Sequence, residues 1–149
     1  MNLKEKLYLA CNDFLYERHK VVINRIQSIQ ESLNSETKSS AGDKHETGRA
    51  MLQLELEKAG NQLLAIEQQQ KVLKRISVQN STDVVRLGSV VETDKKKFYL
   101  AISVGQLVVE NQTYYGVAAA SPIGKLLIGK RVGDEITFNN ITYSIKNVL

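Results

Sequence analysis

Two carboxylates three residues apart, Asp43 and Glu46, stand in the segment Gly-Asp-Lys-His-Glu, just ahead of a long apolar-periodic stretch. Two readings of the pair are open. Asp-x-x-Glu before an apolar run is a capping-box arrangement, in which side chains satisfy the backbone N–H groups left over at a helix start. The same carboxylates are hard oxygen donors that can ligate a divalent cation such as Mg²⁺, with phosphate oxygens or water completing its shell. Different oxygens can serve both roles. The remaining inventory is thin. Cys11 and His19 fall in an N-terminal helical stretch and read as a small packing residue and as a solvated or seam histidine. Tyr114 and Tyr115 read as strand packing, and Lys95, Lys96 and Lys97 as an exposed turn. No GxSxG elbow, phosphate loop or dinucleotide fingerprint occurs among the 149 residues. A self-contained enzyme needs groups converging in a concave site. Here the only singled-out acidic pair stands at a turn between helices.

The elements that must position this pair follow from periodicity. From Asn2 to about Ser35 there is no glycine or proline. Apolar residues fall at Leu3, Leu7, Ala10, Phe14, Val21 or Val22, Ile26, Ile29 and Leu33, a stripe along one helix. From about Glu46 to Ile76 the positions Leu52, Leu56, Ala59, Leu63, Ile66, Gln70 and Leu73 alternate four and three apart, a heptad seam with one polar member. Residues 34–45 between them are small and polar. An antiparallel coiled-coil hairpin covers both stripes, with arms of roughly 45–50 Å at 1.5 Å per residue, long enough to project from a domain of this size. The pattern then switches to period two and β-branched residues. Residues 84–92, 97–102, 106–110, 113–118, 135–138 and 141–145 read as short strands. Turns are expected at Asn111-Gln112 and Asn139-Asn140. One short helix is expected between Ser121 as N-cap, Pro122 in its first turn, and Gly129 as a left-handed terminus. The fold class is therefore α+β: a long N-terminal antiparallel helical hairpin, residues 1–76, then a small antiparallel sheet domain with one short helix, residues 77–149.

Composition narrows the setting. The chain is 42% hydrophobic and 24% charged, with no tryptophan, so its core is aliphatic. Residues 1–76 hold 12 basic and 10 acidic residues and residues 77–149 hold 8 and 6, so each part carries +2 of the total +4. Neither part is a polybasic arm, and charge this modest does not establish nucleic-acid binding. No apolar run is long enough to span a membrane, and the first residues lack a secretion-signal pattern. A single cysteine excludes an intramolecular disulfide and, with two histidines, a structural zinc site. These features lead us to expect a cytoplasmic monomer.

The chain resembles the Gre family of bacterial transcript cleavage factors. Residues 121–138, Ser-Pro-Ile-Gly-Lys-Leu-Leu-Ile-Gly-Lys-Arg-Val-Gly-Asp-Glu-Ile-Thr-Phe, are similar to that family's C-terminal signature, and Val85–Val90 to its first strand. Gly42 to Glu46 matches its Gly-Asp-x-x-Glu tip. The resemblance spans essentially the whole chain and implies an FKBP-like C-terminal domain that docks at the rim of the RNA polymerase secondary channel. It further implies that the hairpin enters the channel. There, Asp43 and Glu46 would help hold the second Mg²⁺, shared with polymerase, and orient a water, so that polymerase cuts the extruded 3′ end of backtracked RNA. Asp43 is then the expected metal ligand, with Glu46 aiding the ion or its water. Lys44 and Arg49 would be phosphate-neutralising groups near the tip, and Ser121, Pro122 and Ile123 the docking surface. The protein would be an accessory factor, not itself an enzyme. The family commonly continues Asn-Ala-Glu-Tyr after the tip glutamate, whereas Thr47-Gly48-Arg49-Ala50 follows here, and Ala120 stands where a polar or acidic residue is usual.

Two alternatives stand beside this expectation. One is a Gre-like regulator that occupies the channel without promoting cleavage. The other, of a different class, is a coiled-coil adaptor whose hairpin seam binds a partner helix.

Overall fold

The structure, a computed structural model, describes residues 1–38 and 42–149, with side chains described outside 36–45. Helix α1 runs Leu3–Lys38 and helix α2 runs Gly42–Lys74. The Asn2 side chain caps α1, its Oδ1 accepting from the Glu5 N–H at 2.8 Å. At the other end α2 tightens, with the N–H groups of Arg75 and Ile76 reaching back three residues to the carbonyls of Val72 and Leu73. Both helices extend well into the polar stretch 34–45 that we expected to be a connector. Polarity alone does not stop a helix: residues 35–38 contain no glycine or proline, and propagating an existing helix is easy compared with nucleating one.

Packing divides the chain into two compact units. Leu15–Gln70 forms one, and Met1–Phe14 with Lys71–Leu149 forms the other. In the first, α1 and α2 run antiparallel, with Val22, Ile29, Ala59 and Ile66 buried between them. The expected α2 seam is present: Ala59, Ile66 and Leu73 are buried, and Leu52, Leu56, Leu63 and Gln70 half-buried. On α1 the inward stripe is Leu7, Cys11, Leu15, Val22 and Ile29. Cys11 and Leu15 therefore take the place expected of Ala10 and Phe14, which are half-buried, and Val22 is the inward member of the valine pair.

The second unit carries a six-stranded sheet. Its strands are β1 (Val90–Thr93), β2 (Lys97–Ala101), β3 (Gly105–Val109), β4 (Gln112–Ala118), β5 (Glu135–Phe138) and β6 (Ile141–Val148), in the spatial order β3-β4-β2-β1-β6-β5. Helix α3 (Pro122–Leu127) lies between β4 and β5 in the chain. Residues 84–89 do not extend β1 as expected. They form a turn in which Gly88 takes φ +91° and the Ser89 Oγ accepts from the Arg86 N–H at 3.0 Å.

The sheet is not wholly antiparallel, because β2 and β4 pair in parallel. Residues 102–104 carry the chain from β2 across one strand position to β3, and the β3–β4 hairpin then fills the gap. That crossover passes directly over Gly116, where an added Cβ would lie 2.5 Å from Val104 Cγ2 and 2.9 Å from the Ile102 oxygen. The β3–β4 turn is Glu110-Asn111, with φ of 54° and 62°, one residue earlier than expected. The Asn139-Asn140 turn is as expected, with φ of 51° and 65°.

Each side of β2 is covered. Phe98 and Leu100 join Val85, Val91, Leu127, Ile136, Tyr143, Ile145 and Val148 in the main core. Tyr99 points the other way, beside Cys11 and Tyr8 of α1.

Candidate functional site

Asp43 and Glu46 both lie in the N-terminal part of α2, three residues apart and hence on neighbouring positions of one helix face. Glu46 is exposed. As side chains, Asp43 and Lys44 lie outside the described residues. Arg49, one turn further on, is half-buried, and its Nη1 donates to the Leu33 carbonyl at 3.4 Å. Its guanidinium therefore ties α2 to α1 near the turn. Two carboxylates are chemically suited to part of an Mg²⁺ shell, which accepts one or two such ligands and fills the rest with water and phosphate oxygen. Among the described residues, no three His, Cys, Asp or Glu side chains converge on a metal position.

The segment Ser121–Phe138 folds as a capped helix, a loop and a strand. Ser121 is the N-cap: its Oγ donates to the Ala118 carbonyl at 2.6 Å and accepts from the Gly124 N–H at 3.1 Å. Pro122 occupies the start of the helix and is exposed. Ile123 is half-buried and leans on the main core. Gly124 is wedged against the preceding chain, where a Cβ would sit 2.0 Å from the Ala118 oxygen and 2.9 Å from the Ala119 oxygen. Of the three residues expected at a docking surface, only Pro122 therefore presents itself fully to solvent. The outward apolar side chains nearest to it in the chain are Leu126 at 37% exposure and Ile128 at 39%. Sequence reasoning did not select these two. Their signal lay in the helix pattern, since Ile123 and Leu127 take the inward positions and leave Leu126 outside.

The other residues with chemical potential are accounted for by packing. Cys11 is fully buried, and loss of solvation raises its thiol pKa to about 12, so it is not a nucleophile at neutral pH. Burial likewise pushes Tyr99 up, and its buried hydroxyl has no hydrogen-bond partner among the described residues. His19 is half-buried on α1. The three lysines we expected to form a plain exposed turn each stand over a tyrosine ring: Lys95 over Tyr143, Lys96 over Tyr115 and Lys97 over Tyr114, at 5.9, 4.7 and 5.7 Å from the ring centres. Lys95 Nζ also donates to Asp94 and to the Thr142 carbonyl, and Lys97 Nζ to Gln112. Their charges are largely engaged within the sheet. Among the described residues, no helix is long and apolar enough to cross a membrane.

No family model and no curated protein matches the chain. Among solved structures, the chain is similar to GreA factor homolog 1 (Gfh1) of Thermus thermophilus, at 20% identity over 91% of this chain and 92% of that one, with a TM-score of 0.36. A second structure of the transcription factor Gfh1 shares 22% identity over 92% and 90% of the two chains, with a TM-score of 0.39. Likeness at this level leaves the functional reading to the chain's own residues.

Proposed function

We propose that this protein is an accessory factor of bacterial RNA polymerase. It docks through the surface around α3 and presents Asp43 and Glu46 to the polymerase magnesium site, promoting cleavage of the extruded 3′ end of backtracked RNA. The observation that carries the reading is the pairing of two features in one chain. The Gly-Asp-x-x-Glu carboxylates stand at the start of the second arm of a hairpin of two helices, each above 30 residues, and the segment Ser121–Phe138 resembles the Gre C-terminal signature. When bound, a second Mg²⁺ supplies charge stabilisation for the attacking and leaving oxygens of phosphodiester hydrolysis. This chain's part is narrower. The Asp43 carboxylate offers oxygen donors to the ion, Glu46 one helical turn away accepts a hydrogen bond from an attacking water, and the α2 backbone holds both at fixed spacing. Lys44 faces RNA phosphate in this reading, and Arg49 braces the tip through Leu33. In the adaptor alternative the seam recruits a partner helix; its apolar members, however, are already buried or half-buried against the other arm.

The test is RNA cleavage in a purified backtracked elongation complex with end-labelled RNA and Mg²⁺. Wild-type protein should shorten the transcript, and an Asp43→Asn/Glu46→Gln variant should bind polymerase equally well yet lose at least about 100-fold in cleavage rate. Binding without stimulation by wild type would replace this reading by that of a channel-occupying regulator. Arg49 favours that second reading to this extent: where the family runs on with Asn-Ala-Glu-Tyr, this chain spends the corresponding side chain on its own hairpin.

A further inference from the structure

Three cations converge on one concave site in the sheet-bearing unit. A cavity of about 290 Å³ is lined by Lys4, Arg75, Ser77, Asn80, Arg86 and Leu87. Lys4 comes from the first turn of α1 and the rest from residues 75–87, which follow α2, so two segments far apart in the chain supply the lining. None of the lining residues is acidic. The nearest acid in sequence to Lys4 is Glu5. Its carboxylate accepts from the Asn2 side chain, and it lines a different cavity with Met1 and Tyr8.

Lys4 makes this arrangement unusual. It is only 9% exposed, although lysine is almost never buried without a partner charge. Its Nζ donates to the Asn80 carbonyl at 2.7 Å, which satisfies one of three donors and neutralises no charge. Burial and the nearby Arg86 both lower its pKa, so the fold tolerates repulsion here instead of relieving it. Arg75 and Arg86 are exposed at the rim, and among the described residues neither forms an ion pair. Two guanidinium groups and an ammonium lining one cavity bring together the charge and the hydrogen-bond donors that suit an oxyanion. Serine and asparagine in the same lining add neutral hydrogen-bonding groups. The volume lies near the lower limit of small-ligand pockets, about 300 Å³, and suits one or two linked phosphates better than a bulky apolar ligand.

We infer that the cavity formed by Lys4, Arg75, Ser77, Asn80 and Arg86 is an oxyanion site that takes the phosphate or diphosphate group of a ligand. Lys4 lies at its floor as the desolvated charge, and the arginines close on the outer oxygens. The group comes either from a free phosphorylated small molecule or from the 5′ end of an RNA. The site is distinct from the Asp43–Glu46 pair and does not depend on polymerase.

Calorimetric titration of the full chain with inorganic diphosphate tests this, together with thermal unfolding in its presence. Wild type should bind saturably with one site and unfold at higher temperature. Arg75→Gln/Arg86→Gln, which alters only exposed side chains, should bind at least about 10-fold more weakly. Lys4→Met, which keeps the stem and removes the charge, should do the same. Lys20→Gln/Lys146→Gln, with the same loss of net charge at exposed positions elsewhere, should bind like wild type. Non-saturable binding by wild type, or an equal loss in the Lys20/Lys146 control, would overturn the site. A short RNA with a 5′-phosphate, compared with its 5′-hydroxyl counterpart, separates the two sources. Arginine-dependent preference for the phosphorylated RNA, displaced by diphosphate, assigns the group to an RNA end. Diphosphate binding without such preference assigns it to a small molecule.

Discussion

Single atoms decide what several residues of this chain can be. Gly124 and Gly60 make the sharpest contrast. A methyl group at Gly124 would meet the Ala118 carbonyl oxygen at 2.0 Å and the Ala119 oxygen at 2.9 Å, both backbone atoms and not the yielding end of a side chain. Gly124→Ala should therefore lower unfolding stability by about 2–4 kcal/mol, read from urea denaturation of the sheet unit. A methyl at Gly60 meets nothing within 4 Å and sits in the middle of a helix, so Gly60→Ala should raise stability by about 1 kcal/mol. Cys11 carries a pH dependence. Its thiol pKa is raised from 9.0 to about 12 in the folded state, so the native protein holds that proton where the unfolded chain releases it. The stabilisation this gives is complete below about pH 9 and is lost as pH rises from 9 towards 12. Denaturation midpoints should accordingly fall in that window more steeply for wild type than for Cys11→Ala. Iodoacetamide at pH 9 should modify the native thiol more than about 100-fold more slowly than the unfolded one.

At the level of elements, the hairpin is held by a narrow apolar seam with a polar member, Gln70, half-buried at a heptad position. Replacing it with leucine should add about 1 kcal/mol to hairpin stability, because apolar area is then removed from water at no loss of a buried partner. Ile66→Ala, at a position only 3% exposed, should cost about 2–4 kcal/mol. Circular dichroism at 222 nm against denaturant measures both. In the sheet unit, the β2–β3 crossover constrains Gly116 much as the Ala118–Ala119 backbone constrains Gly124. The first half of the segment expected as strand 84–92 turns instead because Gly88 is left-handed and Ser89 bonds back to Arg86.

For the molecule as a whole, the proposed division of labour separates binding from chemistry. Leu126→Asp and Ile128→Asp change exposed side chains on and just beyond α3 and should leave the unfolding temperature within a few degrees of wild type. They should nevertheless weaken association with polymerase by at least about 10-fold, seen as loss of co-migration on gel filtration. The Asp43→Asn/Glu46→Gln variant should retain binding. Equal binding by the α3 variants would move the docking surface elsewhere on the protein.

Local chemistry made much of this legible in the sequence. The seam from Leu52 to Leu73, the Ser121 cap with Pro122 behind it, and the Asn139-Asn140 turn each depend on residues a few positions apart, whose periodicity or φ preference acts wherever the chain goes. The order of helical hairpin and then strands with one helix follows from the same local signals. Contacts between distant segments were not legible. The parallel pairing of β2 with β4 depends on a crossover that only Gly116 permits, and nothing near Gly116 in sequence announces it. Cys11 is fully buried and lies near Tyr99, 88 positions later, a meeting that no local pattern announces. The meeting of Lys4 with Arg75 and Arg86 is likewise a product of folding alone, since it joins the first turn of the first helix to the segment that follows the second. Spacing along a chain determines which face a residue takes within its element, and only the packing of elements determines what that face meets.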